Sequence, residues 1–492
     1  MGSYGPDKPP EPPGVTAQLS HWISNLQLSD VPPSVLERTK YQLLDGVACA
    51  LVGAHVPWSE KYVEATAEYE PDGEYSVIGW DKKFGPLAAG MMNSAFIQSI
   101  ELDNYHASAP VHNSAIMLPT LMAAVESLSH RPGHAPVKVS GSHFLLSLIA
   151  GYESSIRAGN GLYGSDMLSR GWHCGAVYGT PGSAAAASKL FNLDPAQIED
   201  ALGIACTQAC GLMAVQFGGM IKRVQHGFST RNGLMGAFLA RGHYDGIKKV
   251  FERPFGGFLA MFSAGNGRDP PYREDAIVDR LGKHWETMHS RNKLYAAVGS
   301  SHGMIEILEN MQAANPDRFA RDQLHKITSI HAAQSLPGFQ HDGWQPDIRP
   351  LDAAGAQLCA PYIMATQLVD RQVLVEQYSS DKLNRDDVWD LVYRTICSHD
   401  PYFDPAERIC GARVTIKFND GFVLEESLDS PRGFDPWVTN EQLVDKYRKL
   451  GAPIVDSKRL KAIEEAVLRL DELEDVTELI ELLAQPVGKS LK

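Results

Sequence analysis

Through its first half the chain keeps apolar residues at helical spacing and offers scarcely any alternating apolar and polar run, which limits that half to helices packed on helices. Pro32 and Pro33 precede Ser34, and Ser34 with Glu37 has capping-box spacing. A helix is therefore predicted from Ser34 through about Val52, with Leu36, Leu43, Val47 and Leu51 on its inward face. Further helices are expected after Ser59, over the Ala-, Met- and Gly-rich Gly85–Ile100, over Leu118–Leu128, over Ser142–Ile156 and through the Ala-rich run that follows His173. Strand signals arrive later: Ile327–Gln334, then Arg413–Phe418 and Phe422–Ser427, the last two joined through Asn419-Asp420-Gly421 as a hairpin. With helices at His302–Gln312 and Gln357–Asp370 between them, residues 283–433 read as a smaller α+β domain. At 492 residues the chain exceeds one ordinary core. The expected layout is a disordered tail over 1–14, a mainly α body over 15–282, the α+β domain over 283–433, and a charged amphipathic return over 434–492 that packs back on the body.

Two stretches carry chemistry. Ser99 to Pro119 puts Glu101, Asp103, His106 and His112 within twelve residues, between apolar helical segments, on a piece that Pro110 keeps from being one continuous helix. Imidazoles beside carboxylates can be tuned across neutral pH, although a solvated polar connection has the same composition. The second stretch, QFGGMIKRVQHGFSTRNG, carries Lys222, Arg223, His226 and Arg231 in a chain whose formal net charge is −14. Interleaved Phe217, Met220, Ile221 and Val224 predict partial burial, and buried cations need an anionic partner. His173 stands in a Gly-bounded turn before the Ala-rich helix.

Several classes are excluded. The negative balance and the absence of clustered Lys and Arg argue against nucleic acid. No apolar run is long enough for a membrane span. The seven cysteines are odd in number and scattered, without CxxC or zinc spacing, which reads as reduced thiols and a cytoplasmic protein. His106 and His112 lack the spacing of a zinc-protease pair, no glycine-rich phosphate loop follows a strand, and no GxSxG elbow occurs. What remains is acid and base chemistry on an anionic substrate, in which cations fix carboxylates and a histidine moves a proton.

Four blocks, ELDNYHASAPVH with NSAIMLP, GWHCGAVYGTPGSAAAASKL, DALGIACTQACGLM with KRVQHG, and NKLYAAVGSSHG, stand in an order that resembles the MmgE/PrpD family of 2-methylcitrate dehydratases and cis-aconitate decarboxylases. The resemblance runs from about Val15 to the C-terminus and is greatest to the fungal, itaconate-forming members. It implies a large all-helical domain built from the N-terminal part and the C-terminal tail, a small α+β lid, a cleft between them, a homodimer, and neither metal nor organic cofactor. Carried over by motif, Asp103, His112 and His173 are the catalytic candidates. Lys222, Tyr105, and Lys293 or His302 from the lid are the substrate-binding ones, with Arg223 and His226 beside Lys222.

The implied reaction is loss of CO2 from a tricarboxylate with protonation at the far end of the double bond. Lys222 would grip retained carboxylates, and His112 or His173, raised by neighbouring carboxylates, would deliver the proton. Two departures stand out: relatives pair aspartates where this chain has Asp103-Asn104, and carry proline or cysteine in the lid block where it has Ala296, Ala297 and Val298. A roomier apolar wall suits an alkyl tail. An alkylcitrate dehydratase or alkyl-aconitate decarboxylase of secondary metabolism is therefore the second expectation, and a repurposed cyclase or non-catalytic scaffold the third.

Overall fold

The computed structural model describes residues 12–130 and 133–491. The expected tail falls outside the described residues as far as residue 11, and Gly14 already caps the helix Val15–Asn25.

The body is built from the helices Pro33–Gly53, Pro57–Ala67, Pro86–Gln98, Asn113–Ser129, Gly141–Gly161, Cys174–Leu190, Pro195–Cys206 and Gln225–Arg241. Three boundaries correct the sequence reading. The first long helix starts at Pro33 with Pro32 as its cap, so Ser34 lies inside the first turn and makes no cap bond. The helix expected from Leu118 begins at Asn113 and runs straight through Pro119. Every residue from Asn113 to Leu128 is buried, and that burial outweighs the one ladder bond a proline removes. The stretch QFGGMIKRVQHGFSTRNG, whose glycines suggest a broken segment, is broken at Gly218 and Gly219, both at positive φ, but from Gln225 it is the continuous helix Gln225–Arg241, where Gly227, Gly233 and Gly236 lie against neighbouring helices. Gly141–Gly161 crosses Cys174–Leu190 closely. A Cβ on Gly151 would sit 2.8 Å from the Ala186 methyl and from Met117 Sδ, so small residues set that interhelical distance.

The smaller unit holds a four-stranded sheet in the order Thr395–His399, Ile327–Gln334, Ala412–Phe418, Val423–Leu428. The first pair is parallel and the others antiparallel. Ile327–Gln334 and the hairpin stand where the sequence predicts them, with Gly421 at φ +85° in the turn. Thr395–His399 has no sequence signal of its own, being a short edge strand of mixed polarity. The expected helix Gln357–Asp370 is shorter, running Ala360–Asp370 after a separate turn at Ala353–Ala356.

The tail supplies the helices Asn440–Gly451 and Ser457–Leu468, both packed on Pro33–Gly53. Lys446 Nζ reaches Asp45 Oδ1 at 2.5 Å and the carbonyls of Leu102 and Lys293 at 2.7 and 2.9 Å. One partly buried cation thus ties the tail to the body and to the start of the smaller unit. A two-residue ladder also joins the body to the start of the smaller unit, pairing Tyr105–His106 with Ser290–Arg291. Among the described residues no helix is long and apolar enough to cross a membrane.

Candidate active site

A cavity of about 630 Å³ lies between the body and the smaller unit. From the body it is lined by Glu101, Tyr105, His112, His173 and Lys222, and from the smaller unit by Lys293, Ser300, Gln334, His341 and Cys410.

Both cavity histidines of the body are helix caps. His112 precedes Asn113–Ser129 and His173 precedes Cys174–Leu190, so each ring sits where a helix presents free N–H groups and favours negative charge. His112 Nδ1 lies 2.9 Å from Asp103 Oδ2 and 3.1 Å from Gln98 Nε2. The amide is itself a donor and already gives 2.9 Å to Asp103 Oδ1, so Nδ1 carries its hydrogen toward the carboxylate. That assignment leaves Nε2 as the nitrogen free to exchange a proton with a ligand. Tyr105 stacks on His112 at 5.5 Å between ring centres, and its hydroxyl lies 3.5 Å from Cys410 Sγ. Gly299 makes that ring position possible, since a Cβ there would stand 2.1 Å from the Tyr105 hydroxyl.

Across from the histidines lies a cation cluster. Glu101 is buried, 2 % exposed, and accepts from Lys222 Nζ, from Arg223 Nη1 at 2.9 Å and from Lys293 Nζ at 2.8 Å. Lys222 Nζ also donates 2.7 Å to Gln98 Oε1, which links the cluster to the Asp103–His112 pair. Burial alone raises the Glu101 carboxyl, but Lys222, Lys293 and Arg223 together hold it well below the usual carboxylate range. Burial lowers Lys222 to about 8 against the pull of Glu101. Burial, with Lys222 next, lowers His173 to about 3 and His341 to about 4, so both rings are neutral in the free protein near pH 7. The expected raised His173 is thus corrected for the free protein: its surroundings are cationic and dry, and Glu101 answers them only in part.

The predicted residues divide. Asp103, Tyr105, His112, His173, Lys222 and Lys293 converge, all lining the cavity except Asp103, which stands immediately behind His112. Three others do not reach it. His226 is fully buried behind the two histidines, its ring 4.9 Å from that of His112 and 4.8 Å from that of His173, and burial pushes it well below its ordinary value. Arg223 turns to Glu101 and Gln357, with its guanidinium over Trp58. His302 is packed between Tyr295 and Phe434, where burial lowers it to about 3. Helix burial sends each of them behind the wall. Gln98, Glu101 and His341 were absent from the sequence-derived site. Glu101 lay in the singled-out stretch, but its left-handed backbone, φ +55°, and its three partners have no local signature.

Among the described residues no group of three or more His, Cys, Asp or Glu is arranged to hold a metal ion. The geometry instead offers two cavity lysines for carboxylates and a carboxylate-backed imidazole for proton transfer.

Comparison with known proteins gives the same frame. Residues 17–270 match the MmgE/PrpD N-terminal domain and residues 295–472 the MmgE/PrpD C-terminal domain. A cis-aconitate decarboxylase-like protein of Aspergillus oryzae is 51% identical over 470 residues, covering 96% of this chain and 97% of that protein. The cis-aconitate decarboxylase of Aspergillus terreus is 50% identical over 481 residues, 97% of both chains, and that of Mus musculus 24% identical over 491 residues, 96% and 94%. With both domain models matched in order over most of its length, the chain belongs to the MmgE/PrpD family.

Proposed function

We propose that this protein is a carbon–carbon lyase that decarboxylates cis-aconitate to itaconate. One observation carries the reading: Lys222 and Lys293 face the same cavity as the Asp103–His112 pair. The near-full-length similarity to fungal proteins named for this reaction supports it.

Lys222 and Lys293 hold the two carboxylates that the product keeps, by charge-assisted bonds. The bond from the allylic carbon to the third carboxylate breaks, and its electron pair forms the new double bond to the central carbon. The old double-bond pair takes a proton from His112 Nε2 at the far carbon, and CO2 departs. Asp103 stabilises the imidazolium that delivers the proton, and solvent restores it. His173, neutral in the free protein, serves as a hydrogen-bond partner of the bound anion, whose charge raises it. Closure of the smaller unit as a lid would exclude water and strengthen these contacts.

The test is proton NMR of the purified protein with cis-aconitate. Itaconate methylene signals are expected, and they should vanish with His112→Ala and with Lys222→Ala; a folded protein that leaves cis-aconitate unchanged overturns the reading. A second reading, a decarboxylase or dehydratase for alkyl-bearing tricarboxylates of secondary metabolism, has one observation in its favour. The cavity volume is that of a site for drug-sized ligands, and Val298, Leu358, Pro337 and Ile409 line its smaller-unit side. Turnover of an alkylcitrate without CO2 release would select dehydration.

A homodimer fits the exposed apolar side chains of Leu212, Phe217, Met220 and Ile221 on the body, which light scattering of the purified protein would test. The scattered, unpaired cysteines support a cytoplasmic setting, which fractionation of the host cell would test.

A further inference from the structure

We infer that Glu101 is a positioning residue: its buried carboxylate holds Lys222 of the body and Lys293 of the smaller unit side by side, as a two-cation clamp assembled before any substrate arrives. The inference deepens the reading above and rests on the cavity accepting a tricarboxylate.

Three cations from two parts of the chain meet on one carboxylate. Lys222 and Arg223 are consecutive on the tight turn Met220–Val224, and Lys293 opens the smaller unit. Arg223 is not among the cavity-lining residues and is held from behind by Gln357. Arg223 therefore offsets Glu101 from outside the cavity, while Glu101 and the two lysines it holds all line it, and three cations against one carboxylate leave the cluster net positive. The clamp offers two adjacent positive charges, and two is the number of carboxylates the decarboxylated product retains; Arg268, Arg273 and Arg408 line the same cavity outside this clamp. Glu101 keeps this arrangement in the left-handed backbone region, which a non-glycine residue occupies only when its surroundings fix it.

The charge balance also decides protonation. The charged and titratable groups around Glu101 and Lys222 include Asp103, Tyr105, His112, His173 and His226 of the body, Arg223 on the turn itself, and Lys293, His341 and Tyr378 of the smaller unit. Among the described residues only Glu101 contacts Lys222 as an anion. Without it, burial and two neighbouring cations would strip the proton from Lys222 near neutral pH.

The experiment measures binding of tricarballylate, an unreactive tricarboxylate, by calorimetry from about pH 6 to 9, a window that spans the Lys222 titration. Wild-type affinity is expected to fall as pH rises through about 8. In Glu101→Gln the fall should begin at least about one pH unit lower, with affinity at neutral pH reduced about tenfold or more, and Glu101→Asp should restore the wild-type position of the fall. A Glu101→Gln curve lowered by one factor at every pH is what a merely structural role produces, and it overturns the inference, as does an unchanged curve. Should Glu101→Gln fail to fold, the charge-balanced Glu101→Gln/Lys293→Gln decides: its fall should stay near the wild-type pH, and a shift overturns the inference. The proposed reaction fails separately. Wild-type binding with the expected pH pattern but no itaconate from cis-aconitate removes the decarboxylase reading and leaves the clamp, whereas itaconate formation with an unshifted Glu101→Gln curve removes the clamp alone. No tricarballylate binding by the wild type overturns both.

Discussion

Asp103→Asn isolates what the carboxylate behind His112 does. The substitution keeps the shape and leaves an oxygen for Gln98, but it replaces the acceptor 2.9 Å from His112 Nδ1 by an amide without charge. A hydrogen bond to a charged partner contributes about 1.5–3 kcal/mol, and here the charged partner is the imidazolium that Asp103 stabilises and holds in place before it gives up its proton. At about 1.4 kcal/mol per tenfold in rate, kcat should drop roughly 10- to 150-fold. KM should move little, because Asp103 does not line the cavity. His112→Gln removes the proton donor itself and should cost roughly 10²- to 10⁴-fold. Since Asp103 acts through His112, the double variant should be no slower than His112→Gln. Itaconate formation followed by NMR measures all three. Multiplying losses, with the double variant slower than His112→Gln by the whole Asp103→Asn factor, would refute the assignment and give Asp103 a role of its own.

Gly299→Ala should drive the Tyr105 ring off His112, since the new methyl meets the Tyr105 hydroxyl; a stability loss of about 1–3 kcal/mol by denaturant titration and a lower kcat are expected, and wild-type kcat would count against a role for that stacking. Burial lowers His173, His226 and His302 in the folded chain, so they stay neutral while the unfolded chain takes up protons below about 6.5. The stability they contribute is therefore present above about pH 6.5 and lost on acidification, with a limiting slope of about 1.4 kcal/mol per pH unit per histidine; Tm should fall between about pH 7 and 5, and a flat Tm would contradict their burial. Burial pushes the Cys410 thiol up to about 12, so this cavity cysteine should resist maleimide at neutral pH while exposed Cys210 reacts. Mass spectrometry of the labelled peptides decides between them.

Periodicity and turn chemistry act over a few residues, and whatever depends on them was legible in the chain. The helical body, the strand Ile327–Gln334, the hairpin through Asn419-Asp420-Gly421 and the interruption around Pro110 all follow from spacing, β-branching and proline or glycine placement. Chemistry-bearing types clustered in short blocks also showed themselves, which is why Asp103, His112, His173 and Lys222 could be named from their motifs. Burial and pairing act across the whole chain and had to await the tertiary structure. Glu101 meets Lys222 across 121 positions and Lys293 across 192, so no local pattern announces that these three form one unit. The same packing turns His226, Arg223 and His302 away from the cavity and brings His341 into it, although all four look alike as polar residues in a sequence. Sequence thus determined which residues were capable of the chemistry. The close crossing of small-residue helices and the desolvation it imposes decided which of them face the cavity, and in which protonation state.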